Sequence, residues 1–288
     1  MPSNTRALKR RIVSVRNTRK ITKAMEMVAA SKMRRAVSGV LGTRPYSSLA
    51  WETVRAIATW TDSSAHPLLV TRKQIKRILF ILYTSDRGLC GGFNSRMVKE
   101  ALRTIGTYDS AQVDVVAVGK RGAQAVRRVN KQIVAAFEQL TNNPKFVDTL
   151  PISKLILKSY LDGTYDKIVI GYTDYVSAVT QIPSVIQLLP LKRDEELGST
   201  LHLAEYIFEP SPAAVLDFIL PRIVETMIWQ ALLETSASEH SARMLAMRNA
   251  TDAAKDMIDD LTFTYNQIRQ AGITREISEI SSGKAALE

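Results

Sequence analysis

The chain has 288 residues, 45% of them hydrophobic, enough for one large domain or one domain with long appendages. No run of about 18 apolar residues is present, so no membrane span is expected, and the single cysteine, Cys90, leaves no disulfide framework and no thiolate metal site. The formal net charge is +11, and three scattered histidines (His66, His202, His240) give little basis for a metal or histidine-based catalytic cluster.

The charge is concentrated at the start. Residues 1–40 hold eleven Lys and Arg against the single acid Glu26, which is +10 of the +11. No secretory signal is expected, because this basic stretch has no apolar h-region, and none of it reads as a transit peptide, because it runs into a regular helical pattern. From about Ser3 the spacing predicts a helix, with Gly39, Gly42 and Pro45 marking a kink or break before the pattern resumes through Leu49, Val54, Ile57 and Ala58. Relative to Lys9, the residues Arg16, Lys20, Lys23 and Arg34 fall at offsets 7, 11, 14 and 25, close to whole turns of a 3.6-residue helix, so the five cations line one face. A fold needs no such asymmetry, which makes the stripe an address for a partner rather than a solvated surface. The apolar seam begins at Leu8, Ile12 and Val15. Arg19, Thr22 and Glu26 interrupt it, and Ala29, Met33, Ala36 and Val40 resume it beside a second line at Ile21, Met25 and Val28. The expectation is a helix touched from more than one side.

The middle alternates strand and helix. Strands are expected at Ile78–Tyr83, Val113–Val118, Ile133–Phe137 and Lys167–Tyr172, and helices at Met97–Ile105, Gly119–Val129 and Ile152–Leu161, the last with Pro151 at its start. That order argues a parallel α/β sheet with right-handed crossovers. Ile182–Leu191 carries Pro183 and Pro190 and reads as an edge strand or extended arm.

Ser211-Pro212 is a helix start, and from Arg222 to Ser282 there is no proline and one glycine. That length of helix points to a coiled coil. Its apolar line passes through Ala246, Ala250, Ala253, Met257, Leu261, Tyr265 and Ile268. Residues 222–288 carry ten acids against seven bases, a partner of opposite sign for the first helix but too weak to neutralise it. One helix enters the α/β domain and the other leaves it, so a pair would be antiparallel. The C-terminal helix overhangs, with Ile273, Ile277 and Ile280 as an apolar tip left for another protein to enclose.

Two glycine loops sit where a phosphate cradle would. Asp86-Arg87-Gly88-Leu89-Cys90-Gly91-Gly92 lacks G-x-G-x-x-G and the P-loop Lys-Ser/Thr, and Gly119-Lys120-Arg121-Gly122 has Arg121 where a P-loop has Ser or Thr. The glycines read as tight strand-to-helix turns and Cys90 as a small buried thiol. No catalytic, cofactor-binding or metal-binding residue is expected. Two other readings stand beside this one. A basic helix binds nucleic acid electrostatically, but this stripe has no interleaved aromatics, and Trp51 and Trp60 lie outside it. A Rossmann-type nucleotide enzyme is disfavoured by the missing fingerprint.

Four stretches carry a resemblance. Asn17–Arg35 (NTRKITKAMEMVAASKMRR), Ser85–Gly92 (SDRGLCGG), Ala242–Asp252 (ARMLAMRNATD) and Arg269–Ile280 (RQAGITREISEI) resemble the γ-subunit family of F-type ATP synthases, in order along the whole chain. The resemblance implies a long antiparallel coiled coil of N- and C-terminal helices (1–60 and 212–288) attached to a Rossmann-like α/β domain (75–209). It implies a non-catalytic rotor inside a ring of α and β subunits, with the ε subunit and the c-ring as further partners and no nucleic acid. With no transit peptide expected, a bacterial source is expected, with the chain held peripherally at the cytoplasmic face of the plasma membrane. The stripe Lys9, Arg16, Lys20, Lys23 and Arg34 would meet the ring. Arg269 and Gln270 match the family's catch contact to β, and Met25, Arg243, Thr274 and Glu276 match other rotor–stator positions. Tyr206 and Glu209 match the c-ring and ε side, and the isoleucine tip would sit in the sleeve of the ring. The extra regulatory cysteine pair of the chloroplast form is absent.

Overall fold

The computed structural model describes residues 2–60, 66–72, 74–108, 111–191 and 211–285. It resolves into two compact units. One is formed by residues 1–29 and 243–288, the other by residues 30–242. Helix α1 is Pro2–Trp60 and helix α5 is Pro212–Ala285, and each contributes to both units. Between them lie β1 (Arg77–Tyr83), α2 (Phe93–Gly106), β2 (Gln112–Val118), α3 (Lys120–Arg128), β3 (Ile133–Phe137), α4 (Phe146–Leu161), β4 (Lys167–Tyr175) and β5 (Gln181–Leu189).

Three helices keep an internal proline, against the sequence expectation of a break at Gly39–Pro45 and of a start for α4 at Pro151. The reason is common to all three. A proline at position i removes the hydrogen bond to the carbonyl of i−4. For Pro45 that carbonyl belongs to Leu41, for Pro151 to Val147 and for Pro221 to Asp217, and all three residues are exposed, so water can satisfy the freed group. Gly39 also has a packing role, since a Cβ there would stand 3.3 Å from Leu233.

In the larger unit the sheet order is β3-β2-β1-β4-β5. The first four strands are parallel, and β5 pairs antiparallel on β4 as an edge strand, in line with its prolines. Both sheet faces are covered. Leu79, Ile81, Tyr83, Ile168 and Ile170 pack against Ile152, Ile156 and Tyr160 of α4 and against Leu216, Leu220 and Val224 of α5. Ile78, Phe80 and Leu82, the alternate residues of β1, pack against Met97, Ala101 and Ile105 of α2 and Val126 of α3. Within this unit α1 and α5 run antiparallel: Gly39 meets Leu233, and Thr43 bonds to Gln230, one helix ascending in number as the other descends.

The smaller unit is the terminal coiled coil. On α1, Ile12, Thr22 and Ala29 are buried, and Leu8, Val15, Met25 and Glu26 are half-buried. The steps of three and four from Leu8 to Ala29 therefore form one seam, interrupted in burial only at Arg19. The second line is not a seam, because Ile21 and Val28 are exposed. On α5 the buried seam is Met247, Thr251, Ala254 and Ile258, one residue beyond the expected Ala246, Ala250, Ala253 and Met257. Threonine is the cause of both differences. The Thr251 hydroxyl lies 2.8 Å from the Thr22 hydroxyl and 2.8 Å from Met247 O, while Thr22 Oγ1 reaches Arg19 O at 3.1 Å. Each hydroxyl is satisfied inside the seam, so a polar residue occupies a core position at little cost.

Candidate functional site

In a parallel α/β sheet, ligands bind at the carboxyl ends of the strands, in the crevice where neighbouring connections diverge. Here the connections from β1 and β4 diverge at their shared border, and that crevice is filled by the chain's own α5. Residues Ala231–Ala242 are buried without interruption, more than three helical turns with no exposed face, although the segment reads ALLETSASEHSA. A helix enclosed all round is normally apolar all round. Here two of the serines make specific bonds, while Thr235 Oγ1, Ser241 Oγ and one oxygen of Glu234 are buried without a hydrogen-bond partner among the described residues. Ser236 Oγ donates to Thr141 O at 2.6 Å in the loop after β3, and Ser238 Oγ donates to Thr173 O at 3.1 Å on β4. Leu233 and Ala237 pack on Ala36 and Val40 of α1, and Ala242 packs on Cys90 and Phe93, where the loop after β1 enters α2. Four elements thus form a collar around one stretch of helix. The small residues Ala231, Ser236, Ala237, Ser238, Ser241 and Ala242 allow the close approach.

One ionic cluster closes the collar. Arg44 of α1 lies 3.6 Å from Glu234 Oε1 and 3.8 Å from Asp174 Oδ1, and also donates to Tyr175 O at 3.1 Å. Gln230 Nε2 donates to Glu234 Oε1 at 2.8 Å. Glu234 is buried, and the cost of enclosing its charge, increased by Asp174 beside it, pushes its carboxyl up to about 7.

The two glycine loops are also committed internally. At the start of α3, Lys120 N–H donates to Asp86 Oδ1 at 3.1 Å, Arg121 N–H to Ser85 O at 3.1 Å and Gly122 N–H to Thr84 Oγ1 at 2.8 Å. Asp86 Oδ2 accepts from Gln139 N–H at 2.9 Å. A helix N-terminus attracts anions through its unpaired amides. Here the anion is the carboxylate of Asp86, so the position a phosphate would take is held by a side chain. In the loop after β1, Ser85 N–H donates to Asn94 Oδ1 at 3.0 Å and Ser85 Oγ to Arg87 O at 2.6 Å. Cys90 is buried, as expected of a structural thiol.

Lys9, Arg16, Lys20 and Lys23 are exposed on α1 in the terminal unit, and Arg34 is exposed in the larger one. Glu26 pairs with Lys23 at 2.9 Å, so the one acid of this stretch is spent on one of its cations. Met25 and Arg243 are half-buried, whereas Arg269, Gln270, Thr274 and Glu276 are exposed. Beyond Gly272, residues 273–282 are all exposed, and Ile273, Ile277 and Ile280 reach 49%, 62% and 73% exposure. Tyr206 and Glu209 lie outside the described residues.

The family model described as ATP synthase matches residues 4–287. A curated ATP synthase gamma chain of Dehalococcoides mccartyi is 46% identical over 291 residues, covering 99% of each chain. That of Pelotomaculum thermopropionicum is 44% identical over the whole of both chains. The chain belongs to the ATP synthase gamma-chain family. A chain in the cryo-EM structure of the Tetrahymena thermophila mitochondrial ATP synthase central stalk and c-ring superposes with a TM-score of 0.64 at 27% identity, covering 80% of this chain and 99% of that one. A chain of the Euglena gracilis mitochondrial ATP synthase, at 19% identity, shares the fold at a TM-score of 0.69 over all of this chain and 95% of its own.

For a gamma chain, the collar is the part sequence reasoning did not find. Its signal was present as the run Glu234–Ser241, a polar and small-residue stretch inside a helix with an α/β domain to pack against. Two of the stretches that carry the family resemblance come together there, since Cys90 of SDRGLCGG touches Ala242 of ARMLAMRNATD. Among the described residues, no helix is long and apolar enough to cross a membrane.

Proposed function

We propose that this chain is the central rotor shaft of an F-type ATP synthase, coupling proton-driven rotation of the c-ring to ATP synthesis or hydrolysis at sites on the β subunits. The observation that carries the reading is full-length identity of 44–46% to bacterial gamma chains, with no large segment left over on either side. The chain supplies no catalytic residue. The Asp86 carboxylate on the α3 amides supports that statement for the turn after β2, because it occupies the anion position at that helix start. The partners are the α and β subunits, the ε subunit and the c-ring, and the chain is held peripherally at the cytoplasmic face of the bacterial membrane.

In this reading the stripe from Lys9 to Arg34 meets the acidic segment of β. Exposed ion pairs are worth about 0–1 kcal/mol each, weak enough to form and release on every turn. Arg269 and Gln270 make the catch contact, with Met25, Arg243, Thr274 and Glu276 along the same boundary. Tyr206 and Glu209 face the c-ring and ε. The isoleucine tip turns in an apolar sleeve, where non-directional contacts vary little with angle.

Reversing Lys20, Lys23 and Arg34 to glutamate tests the stripe. ATP-driven proton pumping by the assembled complex should fall several-fold, while the circular dichroism of the free chain stays unchanged. Normal assembly and pumping would make the stripe plain solvated surface. The tip is tested by limited proteolysis. Cleavage at 273–280 should be rapid in the free chain, where exposed apolar residues have nothing to hold them, and suppressed in the complex. Equal protection in both states would show that the tip needs no sleeve.

A further inference from the structure

The collar encloses two acids, Glu234 and Glu239, and the surroundings of Glu234 disfavour its anion. Glu234 is 6% exposed, and its Oε1 already accepts from Gln230 with Arg44 at 3.6 Å. Its Oε2 is enclosed and has no donor among the described residues. An ionised carboxylate oxygen in that position loses hydration and gains nothing in return. The groups facing it are Arg44 from α1, Asp174 and Tyr172 from β4, and Gln230 on α5 itself. Burial pushes the Tyr172 hydroxyl well up, so it stays neutral and supplies no charge. Two carboxyls therefore share one guanidinium, which balances one negative charge and not two. The second carboxyl, Asp174, has a side chain 37% exposed, so protons can reach the pair from solvent.

We propose that Glu234 and Asp174 form a proton-binding site that tightens the collar on α1 and α5 when loaded and loosens it when empty. Loaded, Glu234 Oε2–H donates to the Asp174 carboxylate, Arg44 neutralises the single remaining charge, and Oε2 has a partner. Empty, the proton has left through Asp174 to water, a second negative charge is enclosed beside the first, and Oε2 has no donor. The Glu234 carboxyl holds its proton in the folded collar up to about pH 7, above its ordinary value near 4.5. The stabilisation is therefore fully present below the ordinary value and is lost as pH rises through about 7. The joint between the shaft helices and the sheet thereby senses pH near neutrality, through residues that take no part in the contacts proposed for the ring. The inference rests on the collar geometry together with the raised Glu234 carboxyl and stands independently of the rotor reading.

Hydrogen exchange of the full chain tests it. With intrinsic exchange rates corrected at each pH, the opening equilibrium of amides 231–242 should rise on the order of tenfold between pH 5.5 and 8, while amides of β1 and β2 change much less. Glu234→Gln, which mimics the loaded state, should abolish the rise. Asp174→Asn should lower the pH at which it occurs, because Glu234 then has Arg44 to itself. Retention of the wild-type profile in Glu234→Gln would overturn the site. Carbon-13 NMR of the wild-type carboxyls gives a check that needs no variant. One glutamate should titrate more than a unit above the rest, and a full set titrating in the ordinary range would overturn the proposal.

Discussion

A disulfide between Lys23→Cys and a cysteine in the acidic segment of one β subunit should abolish sustained ATP hydrolysis, and reduction should restore it. A rotor must exchange partners, and a covalent tie to one β prevents that exchange without altering any ligand of the nucleotide. Lys23 suits the experiment because its side chain is 54% exposed and, among the described residues, its ion pair is with Glu26, three residues away on the same helix surface. Losing an exposed i,i+3 pair costs a few tenths of a kcal/mol, so the substitution by itself leaves the coiled coil intact. Cys90 is replaced by serine or alanine first. It is buried against Phe93 and Ala242. Hydrolysis should fall to background in the oxidised sample, whereas nucleotide binding to β should persist. A static scaffold gives a different result, in which the cross-link forms and turnover continues. Full activity in a demonstrably cross-linked sample would end the rotor assignment.

The parts of this fold legible in the sequence are those where one physical signal dominates. The strand cores were readable because β1 is a continuous apolar run and β2 and β4 hold shorter ones, Val115–Val118 and Ile168–Ile170, as buried parallel strands do. The edge position of β5 followed from Pro183. The concentration of charge on α1 was readable from the count alone, since residues 1–40 hold eleven cations against one acid. The misplaced seam on α5 shows the limit. Ala246, Ala250 and Ala253 fit an apolar line, yet Thr251 takes the core position because Thr22 stands opposite to share a hydrogen bond. A threonine's partner across the coiled coil is a tertiary fact, invisible to a hydropathy pattern on one helix. The collar was missed for the same reason. The helix Ala231–Ala242 looks like a solvated surface until Thr141, Thr173 and Arg44, all distant in sequence, are brought to its serines and glutamate. Proline misled in the opposite direction, since its local penalty was read correctly but the exposed carbonyls that relieve it were not.

Gly119→Ala should destabilise the α/β unit by about 3 kcal/mol or more, enough to remove it from the folded state in mild denaturant. Two independent constraints meet at this residue. Its φ is +98°, a region that L side chains rarely enter. A Cβ there would stand 2.2 Å from Thr84 O and 2.7 Å from the carbonyl carbon, which is backbone of β1's own continuation and cannot rotate aside. The close approach is what allows Gly122 N–H to reach Thr84 Oγ1 and Lys120 N–H to reach Asp86, so the turn, the cap of α3 and the end of β1 are one construction. Gly42 provides the contrast. It lies inside α1 with nothing within 4 Å of its virtual Cβ, so Gly42→Ala should stabilise by up to about 1 kcal/mol through helix propensity. Urea unfolding monitored by the near-ultraviolet signal of the free chain would measure both. The comparison also separates two origins for the Gly119 loop. If the glycine served to let a nucleotide phosphate approach, alanine would impair binding and leave the ligand-free chain as stable as before. If it serves the contact with Thr84, the loss appears in the free chain with no ligand present. Unchanged stability of Gly119→Ala would reopen the nucleotide reading that Asp86, seated on the α3 amides, now opposes.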